Sequence, residues 1–160
     1  MTLTQLEYIY NFHDCDLFTP FEINGNSVTV IFDLAKHLQY DDLKARYGDS
    51  LKNKEYNLIV RVKFSNCLNL SVREWQYRTS KTTKKEQKCN EKTIPIEQFD
   101  TDMDFISLAI LDGNEIHFPF ERCGKSKKYS EIQFVCHNVE VIEEKILTAS
   151  EYNELLQKFE

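Results

Sequence analysis

The alternation of apolar and polar residues around two glycine turns constrains the fold of this chain more than any other feature. Apolar residues recur at every second position on both sides of Asn24-Gly25-Asn26, and the same pattern flanks Asp112-Gly113. Asn-Gly and Asp-Gly tolerate the positive φ angles that tight hairpin turns need. Each segment is therefore predicted to form an antiparallel hairpin. Pro20 has no N–H to donate, which places the first strand at a sheet edge or at a bulge.

Further stretches with a two-residue period predict more strands. Residues 58–64 and 68–77 are interpreted as a strand pair that turns at Ser65-Asn66-Cys67. Residues 131–145 are interpreted as one long strand, in which the change of apolar parity at His137-Asn138 predicts a bulge. A further strand is predicted to resume at residues 93–99, so that most of the chain is extended.

The two ends of the chain differ from this pattern. The first segment fits a helix and a strand equally well, and we interpret it as a short helix or turn that leads into a strand. Residues 148–160 fit an amphipathic helix that Thr148 or Ser150 can cap. With about eight or nine strands, the chain is predicted to be a single domain, residues 1–160, of the β-dominated α+β class. The expected architecture is a mostly antiparallel sandwich or strongly curved sheet with a C-terminal α-helix.

Charge and composition favour a cytoplasmic protein. The net charge of −6 opposes attraction to nucleic acid and to anionic lipid. Residues 1–16 contain acids and no Lys or Arg, unlike a signal or transit peptide. No apolar run approaches the roughly 20 residues that span a bilayer. The five cysteines are odd in number and contain no C-x-x-C motif, so reduced thiols are expected.

The run His13-Asp14-Cys15-Asp16 is the densest group of potential metal ligands. His-Asp pairs bind metals in helical phosphohydrolases, but those enzymes need ligands from further helices and the surroundings here are β. We interpret the run as a polar turn in which the aspartates accept backbone N–H groups. Cys136 beside His137 is a second candidate, yet neighbours along a strand point to opposite faces. No catalytic residue, metal site or cofactor is predicted, and the protein is expected not to be an enzyme.

Two oppositely charged segments are the main candidates for binding. Residues 78–92 contain six basic and two acidic residues and are interpreted as an exposed, mobile loop at a hairpin tip. Residues 97–104 contain acids and no base. The candidate binding residues are Lys81, Lys84, Lys85 and Lys88 in the basic segment and Glu97, Asp100, Asp102 and Asp104 in the acidic one.

Each charged segment has its own class of partner. The acids suit a basic protein, because complementary charge speeds association and sets specificity. The lysines suit phosphates, with Trp75, Tyr77 or Tyr129 stacking on bases, but lysines at a hairpin tip also protect strand edges from aggregation. A noncatalytic protein-binding function is favoured. Two alternatives remain open: a nucleic-acid-associated module that uses the lysines, and a metal- or thiol-dependent enzyme centred on His13 or Cys136.

Three stretches carry a resemblance to known proteins. The stretches "FHDC", "FEINGNSVTVIFDL" and "LIVRVKF" resemble small, mostly uncharacterised β-rich bacterial proteins, some of which are immunity proteins encoded near polymorphic or contact-dependent toxins. The resemblance covers the first half of the chain and carries over no catalytic residue. It implies a cytoplasmic protein that binds another protein, such as a basic toxin domain, without a cofactor or a membrane.

Overall fold

The computed structural model of the protein describes residues 1–10, 12, 15–34, 45–47, 57–111, 113–122 and 127–159. Helix α1 covers Leu3–Tyr10, helix α2 covers Ala149–Leu156, and a 3-10 helix covers Ile96–Gln98. The strands are β1 (Asp16–Asn24), β2 (Ser27–Asp33), β3 (Asn57–Ser65), β4 (Leu68–Thr79), β5 (Glu86–Ile94), β6 (Asp104–Phe105), β7 (Ala109–Leu111), β8 (Glu115–Arg122), β9 (Lys128–Val135) and β10 (Asn138–Leu147).

The strands form two antiparallel sheets. Sheet A has the order β1-β2-β3-β10, and sheet B has the order β5-β4-β9-β8-β6, with β7 also paired to β8. The inner faces meet in one apolar core, where Phe64 of sheet A contacts Phe118 and Phe134 of sheet B. The predicted β-dominated α+β fold with a C-terminal helix is therefore confirmed.

Both predicted hairpins form. Strands β1 and β2 meet at a turn over Gly25-Asn26, where Gly25 has a φ of +59°. Strands β7 and β8 meet at a turn that contains Gly113, whose φ is +82°. Pro20 lies within a register shift of β1, the edge strand of sheet A, as predicted. Local turn chemistry thus determines these two reversals, because glycine adopts a positive φ at little cost.

Two predicted features within a sheet are instead crossings between the sheets. The predicted pairing of residues 58–64 with 68–77 is wrong, because β3 belongs to sheet A and β4 to sheet B. The predicted bulge at His137-Asn138 is also wrong, because β9 ends in sheet B and β10 begins in sheet A. Where the chain passes from one sheet to the other, the buried side chains switch between odd-numbered and even-numbered positions. A bulge within one strand produces the same switch, so the sequence pattern does not distinguish the two.

The predicted loop over residues 78–92 is wrong for most of its length. Strand β4 extends to Thr79 and β5 begins at Glu86, so only residues 80–85 connect them. The strand predicted at residues 93–99 is likewise replaced, because β5 ends at Ile94 and the 3-10 helix follows. Strand β5 is polar because it is an edge strand of sheet B with most of its side chains exposed.

The two helices cover different parts of the sandwich. The N-terminal segment forms α1, which buries Leu3, Leu6 and Tyr10 against the core. Helix α2 begins at the predicted cap Thr148, whose hydroxyl accepts from the Glu151 N–H while the Glu151 carboxylate accepts from the Thr148 N–H. Helix α2 and the turn after it cover the outer face of sheet A.

Candidate functional site

One row of side chains crosses the outer face of sheet B from strand to strand. Asp104 of β6 lies opposite Glu121 of β8, which lies opposite Tyr129 of β9. Tyr129 in turn lies opposite Trp75 of β4. Directly opposed residues share one side of a sheet, and the next residue along, such as Phe120, points into the core. We call these four residues the outer row.

Aromatic rings form the centre of this face. The rings of Trp75 and Tyr129 are stacked, with centroids 6.1 Å apart and planes 10° apart. Tyr77 meets Tyr129 edge-on at 5.0 Å and keeps 37% of its surface exposed. The Lys88 Nζ lies 4.3 Å from the centre of the Trp75 ring, which is close enough for a cation–π contact. The outer row therefore runs from a carboxylate at the β6 edge to the stacked rings, and the Lys88 ammonium group of β5 lies against its aromatic end.

Ion pairs of both signs surround the rings. Glu91 bridges two cations, with 3.1 Å to Lys88 Nζ and 3.7 Å to Arg73 Nη1. His117 lies between two carboxylates, 2.8 Å from Glu115 and 2.7 Å from Glu131. His117 lies on the outer face because its neighbours Ile116 and Phe118 point into the core, and the two carboxylates leave its side chain only 12% exposed.

The four candidate lysines divide into two groups. Lys81, Lys84 and Lys85 are exposed in the 80–85 turn, where Lys84 has a φ of +52°. Lys88 lies on β5 opposite Tyr77 and joins the aromatic cluster. The structure therefore unites Lys88 with the rings and keeps the other three at the hairpin tip.

The four candidate acids also divide. Asp100 lies 2.6 Å from Arg122 and 3.6 Å from Lys128, so its charge is already balanced within the chain. Asp102 is exposed, with 89% of its side chain accessible. Glu97 and Asp104 are exposed as well. Asp100 anchors the connection between β5 and β6, and the other three acids remain accessible along it.

A buried acid that the sequence analysis missed supports this anchor. The Glu74 side chain is 7% exposed and lies 2.7 Å from Lys128 and 3.3 Å from Lys92. Glu74 has the same parity as the core residue Val72, so it points to the inner side at the end of sheet B. In the sequence, Glu74 could have been identified as a buried acid because it is a charged residue two positions after the core-facing Val72 of β4, on the same face of the strand.

A second missed cluster lies at sheet A. The Glu144 carboxylate accepts hydrogen bonds from the hydroxyls of Tyr10 and Tyr47 and lies 2.6 Å from Arg46 Nη1. Burial opposes its ionisation, but the tyrosine hydrogen bonds and the Arg46 charge outweigh burial and lower the pKa of Glu144 below its ordinary value. Burial and the Glu144 charge raise the pKa of Tyr47 to about 12. This cluster joins α1 and residues 45–47 to β10.

The structure describes only some of the residues that were considered for an enzyme site. His13 and Asp14 lie outside the described residues, so their interpretation as a turn stays a prediction. Cys15 is buried and its thiol donates to the Phe12 carbonyl at 3.3 Å. Cys136 is buried at a crossing between the sheets. Among the residues that the structure describes, no group of three or more His, Cys, Asp or Glu side chains has an arrangement that could hold a metal ion.

Comparison with known proteins leaves the outer row unassigned. No family model matches the chain, and no curated protein or solved structure matches it significantly. Within the described ranges, no helix combines the length and the apolar character needed to cross a bilayer. The geometry of sheet B is therefore the basis on which a function can be proposed.

Proposed function

We propose that this protein is a noncatalytic cytoplasmic binding protein whose partner is another protein, docked on the outer face of sheet B. The observation that carries this proposal is the outer row together with Lys88, whose ammonium group lies against the Trp75 ring at its end. Aromatic rings at the centre of a surface and charges around them are the composition that contributes most to protein interfaces.

The charges on this face favour a protein over a nucleic acid. A phosphate backbone binds to cations that are free to neutralise it. Here Lys88 and Arg73 share the Glu91 carboxylate, and Lys88 also covers one face of the Trp75 ring. Phosphates aligned with the outer row would also meet Glu121 and Asp104. A protein surface with charges of both signs matches this face better.

The size of the face is suitable for such a partner. Strands β5, β4, β9 and β8 have 8 to 12 residues and lie about 4.8 Å apart, so together with the two-residue β6 they give an area of about 600 Å². A standard interface covers about 800 Å² on each partner. The 80–85 turn continues β4 and β5 beyond the face and adds to its area.

The most specific form of the proposal is an immunity protein that neutralises a basic toxin domain. Its support is the exposed carboxylates of Glu97 and Asp102 in the connection that leads to β6 and of Asp104 on β6. Asp100 holds their connection in place through Arg122, so little ordering is needed when a partner binds. Basic groups on the toxin would pair with these acids, and the docked protein would cover the toxin's working surface.

Tagged protein isolated from its own cells tests the proposal. Wild type, Trp75→Ala and the control Tyr8→Ala are compared, because Tyr8 is an aromatic residue on α1 with 82% exposure. We expect one protein to co-purify with wild type and the control, to decrease at least tenfold with Trp75→Ala, and to dissociate as salt rises. Equal recovery of the partner with wild type, Trp75→Ala and Tyr8→Ala would refute docking on sheet B.

The nucleic-acid alternative gives a different result in the same preparations. Two results together would show that the partner is a nucleic acid and not a protein. Nuclease would remove the bound material, and retention on heparin would be lost when four lysines are neutralised, namely Lys81, Lys84, Lys85 and Lys88. A co-purifying protein that survives nuclease treatment is the result we expect.

A further inference from the structure

The two crossings between the sheets bring Cys67 and Cys136 together. Strands β3 and β10 pair as far as Ser65 and Asn138 before the chain leaves sheet A at both places. Cys67 follows the first of these residues by two positions, and Cys136 precedes the second by two. Both cysteines are buried, with 9% and 0% of their surface exposed.

The register continues unchanged into the other sheet. Strands β4 and β9 begin their pairing with Leu68 opposite Val135. When the β3–β10 register is continued beyond Ser65 and Asn138, Cys67 falls opposite Cys136. The β4–β9 register, continued from Leu68 and Val135, pairs the same two residues. Directly opposed residues of antiparallel strands have Cα atoms about 4.5–5.5 Å apart, which is within the range of about 4.4–6.8 Å that a disulfide spans.

Hydrogen bonds fix the surroundings of both cysteines. The Cys136 thiol donates to the Asn138 carbonyl at 2.9 Å. The backbone N–H of Cys67 donates to the Asn26 carbonyl and that of Cys136 to the Asn114 carbonyl, which ties each crossing to a hairpin turn. The neighbouring Cys67 thiol lowers the pKa of Cys136 to about 7, and the Cys136 sulfur, with burial, raises the pKa of Cys67.

A surface hollow lies beside this pair. It has a volume of about 230 Å³ and is lined by Cys136, itself fully buried, together with Asn114, His137, Met1 and Thr2. Hydrogen peroxide is small enough to enter such a space, whereas a protein oxidant is not.

We propose that Cys67 and Cys136 form a modification site that closes to a reversible disulfide when hydrogen peroxide oxidises it. The Cys136 sulfur attacks one oxygen of the peroxide, which breaks the O–O bond, gives a sulfenic acid and releases water. The Cys67 sulfur then attacks the sulfenic sulfur, forms the S–S bond and displaces a second water. Two thiols lose two electrons and two protons in total, and the peroxide is reduced to two molecules of water.

The disulfide links the two crossings and closes a loop of about 70 residues, which restricts the unfolded chain. We therefore expect the midpoint of thermal unfolding to rise by about 5–10 °C on oxidation and to return with dithiothreitol. The sheet register already places the two residues opposite each other, so the native backbone need not rearrange.

Peptide mapping of the full-length protein tests the site. Reduced protein is treated with hydrogen peroxide, denatured, alkylated and digested. Free thiols should decrease from five to three, and a linked peptide should join Cys67 to Cys136. The control Cys89→Ser should lose the same two thiols, because Cys89 lies on β5 away from the crossings. Cys136→Ser should form no such link and show no thermal shift.

Other products would overturn the proposal. A disulfide that involves Cys15, Cys89 or Cys123, or oxidation of Cys136 to a sulfinic acid with Cys67 left free, contradicts the pairing. The mapping uses the wild-type protein, so its result stands even where Cys136→Ser fails to fold.

Discussion

The outer faces of the two sheets meet water in different ways. On sheet A, four apolar residues are covered by α2 and the turn after it; they are Phe18, Ile31, Ile59 and Leu147. On sheet B, no element among the described residues covers the outer face, which carries stacked rings and bridged charges. An apolar face must be covered by its own chain, whereas a face of rings and paired charges is stable in water and open to a second protein.

The two faces also differ in what holds them together. Each apolar side chain buried under α2 contributes about 1.5–3 kcal/mol. Exposed ion pairs such as Lys88–Glu91 contribute about 0–1 kcal/mol. The face of sheet A should therefore govern stability, and the face of sheet B should govern binding. Substitutions matched between the faces test this separation.

The largest effect on stability should come from Phe18 on sheet A. Its ring lies 5.4 Å from the Phe159 ring and 6.0 Å from the Tyr152 ring, so Phe18→Ala leaves a cavity beneath α2. We expect the free energy of unfolding to decrease by about 3–4 kcal/mol in urea titrations. The matched substitution Tyr77→Ala on sheet B should cost less than about 1 kcal/mol. Equal losses at the two sites would remove the distinction between the faces.

The largest effect on binding should come from Trp75 on sheet B. Trp75→Ala should weaken binding of the co-purifying protein by about 2 kcal/mol, or about 30-fold, because it removes the largest ring of the aromatic cluster. Calorimetric titration measures this change, with Tyr8→Ala as the exposed aromatic control. A loss of affinity for Phe18→Ala as large as that for Trp75→Ala would show that binding is not confined to sheet B.

Glu144 at sheet A gives a pH-dependent contrast with the exposed acids of sheet B. Its pKa is lowered in the folded protein, so its contribution is complete above the ordinary value of 4.5 and is lost as the pH falls through the folded pKa. Glu144→Gln should reduce stability by about 1–2 kcal/mol at neutral pH. The difference in unfolding free energy between Glu144→Gln and wild type should shrink in unfolding curves recorded at a pH below the folded pKa of Glu144. Asp102→Asn, at an exposed acid, should show no such difference at either pH.

A smaller effect should come from the cap of α2. Thr148→Ala removes the hydroxyl that accepts from the Glu151 N–H, at a cost of about 1 kcal/mol. Because α2 has only eight residues, its order depends on this cap and on packing against sheet A. Amide exchange should become faster in α2 and stay unchanged in β4 and β9. Faster exchange in both sheets would mean that α2 supports the whole sandwich.

Sequence alone predicted the features of this fold that depend on neighbouring residues. Gly25 and Gly113 identify the hairpins because turn chemistry is local. The crossings at Cys67 and Cys136 were missed, because the sheet that a strand joins depends on packing between residues far apart in sequence. The alternation of β8 is enough to place His117 on the outer face, but its carboxylate partner Glu131 lies on β9 and is brought to it by the strand pairing.

The candidate site was predictable in composition and not in arrangement. Asp100 and Asp102 are indistinguishable in the sequence, and only the fold places Arg122 and Lys128 beside the first. Trp75 and Tyr129 are far apart along the chain and meet because β4 pairs with β9. Residue type therefore indicated which groups could bind, and strand pairing determined which of them share a surface.

The most direct test of the central claim uses the one tryptophan of the protein, Trp75. Protein labelled with 5-fluorotryptophan should give a single fluorine resonance from the aromatic end of the outer row. Titration with the co-purifying protein should shift this resonance until one equivalent is bound, in wild type and in Tyr8→Ala alike. A complex that forms while the resonance stays unchanged would show that the partner binds elsewhere and would contradict the account.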